Sequence, residues 1–265
     1  MTPKTSRARG KVYLVGAGPG APDLITMRAA RVLERADIVF YDALVHADTV
    51  TLAVRAEKIA VGKRCGRYST AQRFINKRLI DAASRFETVV RLKGGDPMLF
   101  GRAQEEIDAL REAGVDFEVV PGVTAALAAC ADIGIALTQR GKSRSVSFAT
   151  PRVGAGERPS EWAASISATD SSALYMAAGQ SRAIAAELVA HGMDEHTPVA
   201  IVENASLPDM RHTTTTLGAL LLARDERAAR GPAVILLGRA FANTAAKSRT
   251  DAEAADAQPD ALSAA

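Results

Sequence analysis

The chain has 265 residues, with 33 Lys or Arg against 30 Asp or Glu, a formal net charge of +3 and 48% hydrophobic residues. That length admits one large or two modest α/β domains, and the small charge excess does not call for a nucleic-acid partner. No run approaches the ~20 apolar residues of a membrane helix, so no membrane partner is expected.

Residues 1–10 are basic but carry no apolar segment, and read as a solvated arm rather than a secretory signal. Residues 12–26, VYLVGAGPGAPDLIT, form a short apolar strand running into a loop with glycine at 16, 18 and 20. Such a loop lets a ligand approach the backbone with no Cβ in the way, at the strand end where open α/β sheets bind ligands. A dinucleotide fingerprint would open straight into a helix. Pro19 and Pro22 stiffen the turn, Pro19 removes an N–H that would hold phosphate, and Pro19 biases Gly18 away from helix. The loop suits a flat or neutral ligand better than a pyrophosphate, which disfavours a nicotinamide oxidoreductase.

Strands are expected near 12–15, 38–41, 57–60, 88–92 and 117–120, with helices between them. Residues 24–36 have helical spacing, with Asp23 or Thr26 as N-cap. Residues 69–84 open on Ser69-x-x-Gln72, a capping-box pattern. Residues 102–113 end at Gly114, a usual helix stop. Alternating β and α implies a mostly parallel sheet with helices on both faces. Residues 88–101, TVVRLKGGDPMLFG, and 117–127, FEVVPGVTAAL, repeat the strand-to-Gly/Pro-loop pattern. The three loops are expected to converge at the carboxyl edge of one sheet. Residues 124–133 read as a buried helix.

The expected division is an N-terminal α/β domain at 11–134, a linker at 135–142 and a second α/β domain at 143–240. The second domain has strands near 145–149, 172–176, 198–202, 211–215 and 233–237, and a helix at 182–190. Residues 151–160 read as a surface loop. The stretch 241–265 is Ala, Asp and Ser with almost no large apolar residue, and is expected to be disordered. Cys65 and Cys130 lack metal-ligand spacing; two lone cysteines point to a reducing compartment, the cytoplasm, and no metal is expected.

Taken in order, LVGAGPGAPDLIT, ADIVFYDALV, VGKRCG, RLKGGDPMLFGR, VVPGVTAALAACADIGIALTQRG, LYMA, VAIVENAS and PAVILLG closely resemble the tetrapyrrole methyltransferase family, across about residues 11–240. The resemblance implies two α/β domains with S-adenosylmethionine in the cleft between them, and a homodimer. It implies methylation of uroporphyrinogen III at C2 and C7 to give precorrin-2, on the way to sirohaem, cobalamin or a related tetrapyrrole. An activated sulfonium needs no metal; the protein must position the reactants and manage one proton per methyl. By resemblance Asp42 is the proton acceptor and Lys63 the proton donor. The cofactor contacts carry over to Pro19, Gly94, Gly95, Asp96, Leu99, Thr124, Ala125, Met176, Ala205 and Ala233. Arg102 stands at a helix start, where a cation opposes the dipole; a substrate carboxylate is the partner that would explain it.

The chain departs from the family at Ala103-Gln104 and at Ala149-Thr150-Pro151, where Thr-Gly-His is usual. Two alternatives stay open: a methyltransferase of the same fold acting on a later precorrin or another acceptor, and a non-catalytic tetrapyrrole- or nucleoside-binding relative.

Overall fold

The computed structural model describes residues 10–61, 68–154, 156, 158, 160–177, 179–223 and 231–242, with the side chains of 68–71 excepted. Residues 1–9 of the basic arm, Lys63 and Cys65, and the tail from residue 243 lie outside the described residues. Among those described, ten strands form two five-stranded sheets, and the chain divides into two compact units. The first runs to Ala128 and includes Ser206–Pro208; the second takes Ala129–Ala205 and the chain from Asp209.

The first unit alternates β1 (Lys11–Gly16), α1 (Met27–Glu34), β2 (Ile38–Tyr41), α2 (Ala47–Thr51), β3 (Glu57–Ala60), α3 (Tyr68–Ala83), β4 (Thr88–Lys93), α4 (Ala103–Glu112) and β5 (Phe117–Val120). The helix α5 (Ala125–Ile133) crosses the boundary between units. The strand order is β3-β2-β4-β1-β5, and every pairing is parallel. β1 and β4 are buried on both faces, as central strands of a parallel sheet are, and are largely apolar, with charge only at Lys11 at the start of β1 and at Arg91 and Lys93 in β4. One face packs Tyr13, Val15, Val39, Val90 and Leu92 against Ala29, Val32 and Leu33 of α1. The other packs Val12, Leu14, Ile38, Phe40 and Val89 against Leu79 of α3 and Ile107 and Leu110 of α4.

Local chemistry sets the helix ends. Thr26 is the N-cap of α1, its hydroxyl accepting from the Ala29 N–H at 3.2 Å, so the proline loop ends before the helix begins. After α4, Gly114 takes φ +63, while Gly114 N–H reaches Arg111 O and Val115 N–H reaches Leu110 O, the paired closure of a Schellman motif. The Ser69 side chain of the expected capping box lies outside the described residues. The helix already runs from Tyr68, and the Gln72 amide donates to Asn76 Oδ1 (2.9 Å) and Glu106 Oε1 (3.2 Å). Nor is α5 buried all round, since Leu127, Ala131 and Asp132 face outward. Small residues gave its pattern too little contrast to show which face is covered.

The second unit contains β6 (Val146–Ala149), α6 (Trp162–Ser167), β7 (Ser171–Tyr175), α7 (Ser181–Ala190), β8 (Pro198–Glu203), β9 (Arg211–Thr216), α8 (Leu217–Leu222) and β10 (Ala233–Gly238). Its order is β6-β7-β10-β8-β9, with only the β6–β7 pair parallel. Trp162 and Ile166, Ile184 and Leu188, and Leu217, from the three helices, pack on Leu174, Val199, Ile235 and Leu237.

Both units staple the starts of two strands with one aspartate. Asp37 Oδ2, ahead of β2, accepts from Glu87 and Thr88 N–H at 3.0 and 2.8 Å, at the start of β4. Asp170 Oδ2, ahead of β7, accepts from Arg144 and Ser145 N–H at 2.8 and 3.0 Å and from the Ser145 hydroxyl at 2.8 Å, ahead of β6.

Candidate active site

The three glycine loops meet at the carboxyl edge of the first sheet. Gly95 N–H donates to Gly18 O at 2.7 Å, and Gly18 N–H to Gly95 O at 3.2 Å. A Cβ on Gly16 would lie 2.7 Å from Gly122 Cα and from Gly95 O, and one on Gly122 would lie 2.4 Å from Gly95 O. Loops this close admit no side chain, so glycine at 16 and 122 is a packing requirement. Gly95 differs: its φ is +68, yet a Cβ there would meet nothing within 4 Å. That backbone faces open space, as a residue lying under a bound ligand would.

Asp96 fastens the loops together. Its Oδ1 accepts from Met98 N–H (2.8 Å) and its Oδ2 from Gly122 N–H (2.9 Å), joining the loop after β4 to the loop after β5. Asp96 thus shapes the turn ahead of Pro97, as aspartates commonly do, and each oxygen keeps a further lone pair for a ligand hydroxyl. Ser206, counted with this unit, accepts from Ala21 N–H at 2.9 Å and so fixes the proline loop.

Backbone strain marks the same segments. Among the described residues, the non-glycine residues with positive φ are Phe100, Arg102, Met176, Asn204 and Ser206. Such conformations persist where the surroundings over-determine them, often at functional sites. Two flank Gly101, and two flank Ala205. In the second sheet Met176 follows β7, Ala205 follows β8 and Ala233 opens β10. The pairings Val234–Tyr175 and Ala233–Glu203 put all three at one end of that sheet. Pro19, Gly94, Gly95, Asp96, Leu99 and Thr124 gather on the three loops of the first unit, with Ala125 in the first turn of α5. Each unit thus collects its own share of the expected cofactor contacts.

Asp42 follows β2 directly. Its Oδ1 accepts from Leu44 N–H at 3.0 Å, its Oδ2 lies 3.7 Å from Arg91 Nη2, and its side chain is 25% exposed. Arg102 is the N-cap of α4 at φ +56; its Nε and Nη2 reach Glu105 Oε1 and Oε2 at 2.7 and 2.8 Å. The cation at the helix start is thus compensated by its own first turn, which also holds Glu106. The dipole argument for a substrate partner loses its force, although the side chain is 42% exposed. Lys63, the third residue expected in the chemistry, lies outside the described residues.

The chain matches the family described as Tetrapyrrole (Corrin/Porphyrin) Methylases over residues 11–221. It belongs to that family. A protein of Pseudomonas aeruginosa named uroporphyrinogen-III C-methyltransferase is 42% identical over 229 residues, covering 86% of this chain and 93% of that one. Siroheme synthase 1 of Cronobacter sakazakii is 44% identical over 232 residues, 87% of this chain but 49% of that one. This tetrapyrrole methylase chain therefore spans about half the length of the siroheme synthases it matches. The uroporphyrin-III C-methyl transferase of Thermus thermophilus, solved with S-adenyl homocysteine, superposes with a TM-score of 0.76 at 38% identity, covering 87% of this chain and 98% of that one.

From the sequence Arg91 and Lys93 stand out only as basic residues beside the strand-end loops, and Glu106 does not stand out at all; the fold buries all three and sets Arg91 beside Asp42. The signal was two cations inside an otherwise apolar strand, TVVRLK. Asn204 and Ser206 were also missed; positive φ on a non-glycine residue leaves no trace in a sequence.

Among the described residues, no group of three or more His, Cys, Asp or Glu is placed to hold a metal ion, and no helix is long and apolar enough to cross a membrane.

Proposed function

We propose that this protein transfers methyl groups from S-adenosylmethionine to uroporphyrinogen III, at C2 and C7, giving precorrin-2. The observation that carries the reading is the convergence of three glycine loops around Gly95, whose half-buried backbone has open space on its Cβ side and offers a cradle for a nucleoside. The named relative that this chain covers over 93% of its length supports the acceptor, and the structural relative solved with S-adenyl homocysteine supports the donor.

The sulfonium supplies an activated methyl. The attacking pyrrole carbon forms the new C–C bond as the S–CH₃ bond breaks, and the electron pair returns to sulfur. A proton must then leave the macrocycle. Asp42, at the carboxyl end of β2 with part of its carboxylate exposed, is the group assigned to accept it; Lys63 is assigned the return. The backbone of Gly94 and Gly95, with Asp96, Leu99, Thr124 and Ala125, holds the nucleoside, aided by Pro19, Met176, Ala205 and Ala233. Arg102 is assigned a carboxylate of the substrate. The reading also makes the enzyme a cytoplasmic homodimer with no metal, nucleic-acid or membrane partner, on the strength of the family resemblance; light scattering at working concentration tests the dimer.

The test is incubation with S-adenosylmethionine and uroporphyrinogen III under reducing conditions. A red-shifted, dimethylated product with two equivalents of S-adenosylhomocysteine is expected. Absence of methylation, with turnover of a later precorrin instead, would transfer the assignment to a sister reaction. Binding without turnover of either acceptor would leave a non-catalytic relative.

A further inference from the structure

The face of the first sheet covered by α3 and α4 carries charge for which the reaction as written has no use. Arg91 and Lys93 follow Val89 at alternate positions on β4, so all three point to this face. Each of the two cationic side chains is 5% exposed. Between them lies Glu106 of α4, fully buried. Its Oε1 accepts from Arg91 Nε (3.0 Å), Lys93 Nζ (3.2 Å) and Gln72 Nε2 (3.2 Å), and its Oε2 accepts from Lys93 Nζ (3.1 Å). Arg91 Nη1 donates to Leu92 O at 3.0 Å and Phe40 O at 3.4 Å. The guanidinium is thereby held along two edges, and its Nη2 is the end directed at Asp42.

Two cations thus share one buried anion, and a buried charge persists only when paired. Burial, then the charge of Arg91, pushes the Lys93 ammonium below the ordinary lysine value, while Glu106 and Asp42 act the other way. Asp42 is the second anion facing this group. At 3.7 Å the Arg91–Asp42 pair is longer than a hydrogen bond, so the attraction is one of charge and leaves the Oδ2 lone pairs available. Oδ1 is already tied to Leu44 N–H. The carboxylate is held at both oxygens and open on its outer side.

We propose that Arg91 is a positioning residue for Asp42: clamped by Glu106 and by the carbonyls of Phe40 and Leu92, it aims the Asp42 carboxylate at the proton leaving the macrocycle. This inference rests on Asp42 being the proton acceptor. A catalytic group displaced by about 1 Å can cost ~100-fold in rate, which sets the scale of the effect.

The test is a cycle of Asp42→Asn, Arg91→Lys and the double variant, assayed with S-adenosylmethionine and uroporphyrinogen III, with S-adenosylhomocysteine affinity measured alongside. Arg91→Lys keeps the charge against Glu106 but loses the planar fork that reaches Asp42. It should lower kcat about ten- to a hundredfold, leave S-adenosylhomocysteine binding unchanged, and add little to the loss in Asp42→Asn. Non-additivity of this kind reports residues that act through one another. Losses that multiply in the double variant, wild-type kcat in Arg91→Lys, or cofactor affinity falling in step with rate would each overturn the proposal while Asp42→Asn remained slow. Wild-type turnover by Asp42→Asn would overturn the base assignment as well. If Arg91→Lys does not fold, Arg91→Gln combined with Glu106→Gln removes one cation and one anion together, and the same cycle is read on that background.

Discussion

At the scale of single residues, the glycines of the three loops have different duties. Gly16 and Gly122 are kept small by backbone atoms under 3 Å from where a Cβ would sit, whereas Gly95 has open space and positive φ. Gly95→Val meets no atom within 4 Å but is strained by the positive φ, so it is expected to lower the thermal midpoint without unfolding the chain and to abolish S-adenosylhomocysteine binding, measured by calorimetry against circular dichroism of the same sample. Retained affinity would mean that no ligand approaches this backbone. Asp42→Asn is expected to slow turnover by about 100-fold or more, the usual worth of a general base, with cofactor affinity preserved. Steady-state kinetics alongside an S-adenosylhomocysteine titration decides this; unchanged kcat makes Asp42 a turn residue only. The candidacy of both residues was legible, because KGGDP and FYDALV place them just after apolar strands. The partners of Asp42 were not, because Arg91 is 49 positions downstream and is brought alongside by the parallel β2–β4 pairing.

At the scale of elements, strand positions were readable in both units because apolar, β-branched runs bounded by glycine, proline or charge have few other solutions. The helices α6 and α8 were not foreseen, being six residues each, too short for periodicity to speak. Nor was it foreseen that one aspartate would pin two strand starts in each unit. For Asp170 this staple has a pH signature. Backbone N–H groups of Arg144 and Ser145, with the Ser145 hydroxyl, hold its carboxyl below the ordinary aspartate value. The folded state therefore takes up the proton less readily than the unfolded one, so the stabilisation is present above the unfolded aspartate pKa and lost as pH falls through the folded value. Asp170→Asn should lower the thermal midpoint at neutral pH, with the gap to wild type closing as the buffer is taken to the acid side of both values. A gap that stays constant across that range would show that the carboxylate charge contributes nothing.

At the scale of the whole molecule, ligand binding should appear as stability. A ligand that binds only the folded chain adds about 2.7 kcal/mol at a hundred times its Kd. S-adenosylhomocysteine should raise the melting temperature, and NAD should not; the reverse result would reject the cofactor assignment. Charge acts at this scale too. The uroporphyrinogen macrocycle carries eight carboxylates by its chemistry, and exposed charge pairs are screened by salt. Arg102→Ala should raise KM for uroporphyrinogen with a loss of about ten- to a hundredfold in kcat/KM, as expected for a hydrogen bond to a charged group, and little change in S-adenosylhomocysteine affinity. The pair with Glu105 adds a condition: Glu105→Gln, which removes that ion pair, should not reproduce the loss. If Arg102→Ala damages only cofactor affinity, the carboxylates are held by another basic residue.

The sequence by itself determined the family, the alternation of strand and helix, the strand-end loops and most residues on them. These properties are local: each depends on a few neighbouring residues, and glycine or proline after an apolar strand has a narrow range of outcomes. Tertiary structure decided what lies far apart along the chain. It drew Gly16, Gly95 and Gly122 to within contact of one another, and made β10 antiparallel to β7 and β8 so that Met176, Ala205 and Ala233 share one sheet end. It also turned Arg91, Lys93 and Glu106 into a buried charged group beside Asp42. Burial assigns meaning to a charged side chain, because the same arginine that is solvated on a surface must find partners when water is removed.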